Sequence, residues 1–190
     1  TPNQAFRHPS GNYVMKYTAG LAVQYLPFFA LGHGVALLSN YPADGFSLPY
    51  QIAIHWGSFF FAFLGLWWIR KLLLRYFSEN VTALTLFLLV FGTNYLNYTS
   101  FDGAMTHNWL FTLYAGLCLL VDNLYRKPTS GVALAVGGIL GLMIITRPSE
   151  MVAVLIPLLW GWTGLGQRLQ YWKTHFGKLL LAILGGTLLV

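Results

Sequence analysis

Long apolar runs in this chain are separated by short polar connections, and every second connection is basic. Taken as helices, the runs predict spans from Gln51 to about Ile69, from about Val81 to Tyr98, and from about Ala104 to Tyr125. Two more are expected from Gly131 to Thr146 and from Met151 to about Leu165. A last run begins near Phe176 and reaches Val190, short of the roughly 20 residues that a helix needs to cross a bilayer. The fifth run contains Pro157 and carries Trp160 and Trp162 as expected interfacial anchors. Gly137, Gly138 and Gly141 predict close helix packing rather than a loop. The fold class expected is all-α: a polytopic transmembrane helical bundle in which residues 1–190 form part of one domain.

Residues 14–38 allow two readings. The segment is apolar enough to span, but Lys16 opens it, Pro27 interrupts it and Gly32-His33-Gly34 loosens its end. Such interruptions are tolerated at membrane depth where protein or a water-filled cavity surrounds them. The expected form is an interfacial or re-entrant helical segment that dips into the outer interface and returns, with a simple crossing as the alternative.

The charges orient the bundle. Arg70, Lys71 and Arg75 form one basic cluster, Arg126 and Lys127 the next, and Arg168, Lys173 and Lys178 the third. If these lie in the cytoplasm, the turns near Asp44, Asp102 and Arg147 lie outside. Composition agrees: 56% of the 190 residues are hydrophobic and 8% charged, against about 25% charged in soluble domains. The net charge of +6 then reflects the positive-inside pattern, so no nucleic-acid partner is implied. The one cysteine, Cys118, lies inside an apolar run and reads as a small hydrophobe. The chain opens on Thr1 and closes within an apolar run, so it is expected to be an internal fragment of a larger protein.

Candidate chemistry falls on the outer turns. Asp102 before Gly103 suits a helix N-cap, yet with His107 it could also line an outer cavity. In Thr146-Arg147-Pro148-Ser149-Glu150, Pro148 fits the first helical position and Glu150 favours the positive helix end. Arg147 is opposed by that dipole, so it is either an interfacial Arg or a phosphate ligand beside free N–H groups. His55 sits one turn inside a span, where an ionisable residue is a functional candidate, although it could instead donate to a backbone carbonyl. Asp44, between Pro42 and Gly45, reads first as a turn residue. Asp122 and Arg126, four apart, read as a surface ion pair. No pair among His33, His55 and His107 has the spacing of a local metal motif; no metal site is expected, though a divalent ion stays open as a cofactor.

Several pieces in order resemble the GT-C superfamily of integral-membrane glycosyltransferases, closest to bacterial relatives of protein O-mannosyltransferases and aminoarabinose transferases. They are His8-Pro9, Asn12 to Tyr17 around Lys16, Pro27-Phe-Phe, Tyr41-Pro-Ala-Asp-Gly-Phe46, Asp102 with Met105-Thr-His107, and Gly141 with Thr146-Arg147-Pro148. His8-Pro9 departs from the family by continuing into Ser10-Gly11. The resemblance implies a sugar donor on a polyprenyl phosphate, an acceptor of unstated identity, and transfer at the outer (periplasmic) face of a bacterial inner membrane. It makes Lys16 and Arg147 candidates for the donor phosphate, with Asp102, His107, His55 and Asp44 lining the cavity. It also implies that the general base lies in an outer loop upstream of Thr1. Lys and Arg would stabilise the departing phosphate while the base deprotonates the acceptor hydroxyl. The alternatives are a transporter, a lipid-linked glycan ligase or polymerase, and a structural membrane subunit.

Overall fold

The computed structural model describes residues 5–15, 18–161 and 164–188. It opens with a short antiparallel hairpin, β1 (Ala5–Arg7) and β2 (Tyr13–Met15), in which Arg7 pairs with Tyr13. Every other regular element described is helical.

The helix α1 (Gly20–Leu38) is continuous, so the break expected at Pro27 is absent. Proline removes one donor from the helix ladder, but the packing of the turns that follow it keeps the helix continuous. Phe28 sits over Gly57 of α2 (Leu48–Leu73), where a Cβ would lie 2.6 Å from the ring. One turn later Gly32 rests on Tyr50, whose Cα would be 3.0 Å from an added Cβ. The two helices therefore form an antiparallel pair, closed by His33 Nδ1 and the Tyr50 hydroxyl at 2.5 Å. Both α1 and α2 are long and apolar enough to cross a membrane.

The predicted run from Val81 to Tyr98 is two helices, α3 (Glu79–Gly92) and α4 (Tyr95–Ser100). Thr93 makes the break. Its backbone is extended, its hydroxyl donates to the Leu89 carbonyl at 2.6 Å, and the same oxygen accepts from Tyr95 N at 3.1 Å. Local side-chain bonding of this kind competes with the helix ladder. Tyr95 then ties α4 to α2 through the Ala62 carbonyl at 2.8 Å.

Helix α5 (Thr106–Arg126) is the central element. Polar bonds fasten it to α2: Asn108 Nδ2 donates to Ser58 Oγ at 2.6 Å, and the Thr112 hydroxyl donates to the Phe61 carbonyl at 2.6 Å. Its opposite side, with Leu113, Leu117 and Val121, packs on Val136 and Met143 of α6 (Ser130–Thr146). The close packing expected of the α6 glycines is present. Gly137 and Gly141 lie against the backbone of α9 (Phe176–Thr187), and a Cβ on Gly141 would sit 2.6 Å from the Gly186 carbonyl oxygen.

These two helices run parallel, which requires the chain to return between them. It does so through a 3-10 helix (Pro148–Val154) and α7 (Leu155–Leu159), where a run from Met151 to Leu165 was predicted. A 3-10 helix rises about 2.0 Å per residue against 1.5 Å in an α-helix, so this short segment reaches farther than its length suggests. Trp160 follows, and Trp162 lies outside the described residues. The polar segment that follows is a further helix, α8 (Leu165–Thr174), not anticipated from the apolar runs.

The three basic clusters meet at one end of the bundle. Arg75 and Arg126 both bind Asp122, with Arg126 Nε at 2.8 Å. Arg168 lies 4.6 Å above the Tyr125 ring, and Lys178 donates to Ser130 Oγ at 2.7 Å. The opposite end holds Gly103, Ala104 and Thr146. There Thr18 and Gln24 bond Thr146, and the Tyr25 hydroxyl bonds the Ala104 carbonyl.

Candidate functional site

Arg147 closes α6 in an extended conformation, its N–H donating to Met143 O at 2.9 Å. Its carbonyl accepts from Glu150 N at 2.9 Å, which starts the 3-10 turn. The guanidinium therefore sits beside a 3-10 turn and an acid rather than at the open N-terminus of an α-helix. Nε is 3.8 Å from Glu150 Oε1, with the Arg side chain 47% exposed and the Glu side chain 13%. Glu150 is held from the other side, where Oε2 accepts from the Tyr114 hydroxyl of α5 at 2.5 Å. Among the described residues no protein acceptor takes a hydrogen bond from Arg147's side chain, leaving a fork of donors free for an oxyanion.

His107 stacks on Tyr98 with ring centroids 4.2 Å apart. The pair lines a cavity of about 340 Å³ with Thr93, Asn94 and Phe111. His107 and Tyr114 are seven residues apart on α5, hence on nearly the same face, about 10 Å apart along its axis. The His107 cavity and the Arg147–Glu150–Tyr114 chain thus share one side of α5.

Asp102 is not an N-cap. Helix α5 starts after Met105, and Asp102 accepts from Asn97 Nδ2 at 3.1 Å within the turn. Gly103 explains the displacement: it is pinned between α2 and α5, with Trp109 Nε1 donating to its carbonyl at 3.0 Å, which pushes the helix start past it.

The remaining candidates stand apart. His55 is exposed, with Nδ1 2.8 Å from the Gln51 carbonyl of its own helix, and it lines a separate hollow of about 270 Å³ with Trp56 and Phe59. Asp44 forms the turn its neighbours predicted, accepting from Phe46 N and Ser47 N, each at 2.9 Å. Those two N–H groups hold its carboxyl below the usual aspartate range. Lys16 lies outside the described residues. Among the described residues no three His, Cys, Asp or Glu side chains gather around a point where an ion would fit.

The expected ion pair of Asp122 with Arg126 is present, at 2.8 Å, but its carboxylate is not at the surface. Asp122 is 2% exposed rather than a surface partner of Arg126, because Arg75 and Tyr76 arrive from the end of α2 and cover it. Tyr114 and Tyr98 were missed because aromatic residues inside an apolar run carry no distinguishing pattern. The seven-residue spacing from His107 to Tyr114 was the one available signal. No family model, curated protein or solved structure matches this chain.

Proposed function

We propose that this chain is part of a multi-pass inner-membrane glycosyltransferase, transferring a sugar from a polyprenyl-phosphate donor at the outer face. The observation that carries the reading is Arg147. It is a half-exposed guanidinium with free donors, at the end of the bundle opposite every basic cluster, set beside a tyrosine-held carboxylate. Leaving-group phosphate needs such a cation on the face where the donor is used.

Two features support it. Apolar side chains cover the outside of the helices, with Trp56 69%, Phe63 71% and Phe91 63% exposed, a surface suited to lipid rather than water. Helix α1 bonds Thr146, Ala104 and Tyr50 at the Arg147 end of the bundle, so an apolar helix packs beside the candidate phosphate site. In this mechanism Lys16 and Arg147 neutralise the departing phosphate, the His107 cavity accommodates polar groups of the substrate, and the base comes from elsewhere in the protein.

The test is polyprenyl-phosphate binding by purified protein. Arg147→Ala is expected to weaken binding roughly 10- to 100-fold, the range of a charge-assisted pair of hydrogen bonds. Undiminished binding removes Arg147 from the site and the reading with it.

A further inference from the structure

An apolar cleft of about 340 Å³ opens between α6, α7 and α9, on the far side of α6 from the His107 cavity. Leu140, Ile144, Pro157 and Ile183 form its walls, and Trp172 and Lys178 close its basic end. From Lys178 to Thr187, its other limit on α9, the helix rises about 13 Å. A groove of that length with apolar walls accommodates a hydrocarbon chain laid along it.

The charge at its basic end is unbalanced. Arg168 is 7% exposed, donates to the Trp160 carbonyl, and has no partner for Nε. Its Trp172 neighbour, one turn along α8, lines the cleft. Lys178 has only the Ser130 hydroxyl. None of the chain's five carboxylates forms an ion pair with either cation. Lys178, with no carboxylate partner among the described residues, stands at the end of this apolar cleft and makes the electrostatics favourable for a lipid with a net negative headgroup.

We propose that this cleft is a binding site for an anionic phospholipid of the inner leaflet, with an acyl chain lying in the groove along the α6–α9 seam and the phosphate at Lys178. The proposal rests on the membrane-spanning reading but not on the glycosyltransferase one.

The test uses full-length protein in nanodiscs of phosphatidylcholine containing one-tenth brominated lipid, either phosphatidylglycerol or phosphatidylcholine. Quenching at Trp172 is obtained by difference from Trp172→Phe. Brominated phosphatidylglycerol is expected to quench this residue about fivefold more than brominated phosphatidylcholine, the enrichment that one basic residue gives near an anionic lipid. Lys178→Gln should bring the two lipids level, whereas Lys71→Gln, on α2, should change nothing. Equal quenching by both lipids in the unmodified protein, or an equal loss in both Lys variants, overturns the site while leaving the membrane reading intact. Absence of tryptophan quenching by either lipid overturns both.

Discussion

The two ends of the bundle use charge in opposite ways. At the basic end Asp122 is buried under Arg75, Arg126 and Tyr76, so one carboxylate joins the end of α2 to the end of α5. At the other end Arg147 meets Glu150 at 3.8 Å while remaining half exposed, and His107 contacts its neighbour by stacking. The first arrangement fills three of the carboxylate's roughly four acceptor sites. The second leaves donors unspent. A saturated polar cluster locks helices together, whereas an unsaturated one at a cavity retains binding capacity for a ligand.

Removing Asp122 is the strongest way to separate these roles. Asp122→Ala leaves two arginines without their carboxylate, and because both are partly solvated the expected loss is about 2 to 3 kcal/mol of stability. Thermal unfolding in detergent reads this, and polyprenyl-phosphate binding by the folded fraction should be unchanged. Arg147→Ala should do the reverse, weakening binding while shifting stability by about 0.5 kcal/mol or less. Equal effects of the two variants on both readouts would erase the distinction between the ends.

A smaller effect is expected at Glu150. Glu150→Gln keeps an acceptor for Tyr114 but removes the charge that competes for Arg147, so phosphate affinity should rise about threefold and the rise should fade in high salt. Weaker binding in this variant would mean that Glu150 positions Arg147 rather than competing for it.

The smallest effect concerns the turn at Asp44. Its folded pKa lies below the unfolded value, so its contribution is complete at pH values above the unfolded pKa and is lost as pH falls through the folded one. Asp44→Asn should therefore unfold slightly earlier than the unmodified protein at pH 7. The two should converge well below pH 4, where both side chains are neutral. A difference that persists in acid would assign the effect to something other than this carboxylate.

Much of this contrast was legible in the sequence, for a physical reason. Cytoplasmic loops of membrane proteins collect Lys and Arg, so three clusters spaced by apolar runs already implied a shared end, and Arg75, Arg126 and Lys178 meet there. Gly137 and Gly141 were legible because small residues admit a neighbouring backbone. What stayed hidden depends on distant partners or on local competition. Asp122 looks like half of a local pair until Arg75 and Tyr76 arrive from some 46 residues away. Thr93 breaks its helix through two bonds of its own hydroxyl, within a run too apolar to betray it. Pro27 shows the opposite error: a residue that usually interrupts a helix is overruled by Phe28 over Gly57 and Gly32 on Tyr50. Arg147 and His107 stood out as polar residues near turns, while Tyr114, which holds Glu150, and Tyr98, which stacks on His107, did not.

The opposition of the two ends is tested most directly by their exposure in intact cells. In a Cys118→Ala background, Asp102→Cys and Lys127→Cys place one thiol at each end. A membrane-impermeant maleimide should label position 102 before lysis and position 127 only after it. Labelling of position 127 in intact cells, or equal labelling of both, would contradict the account.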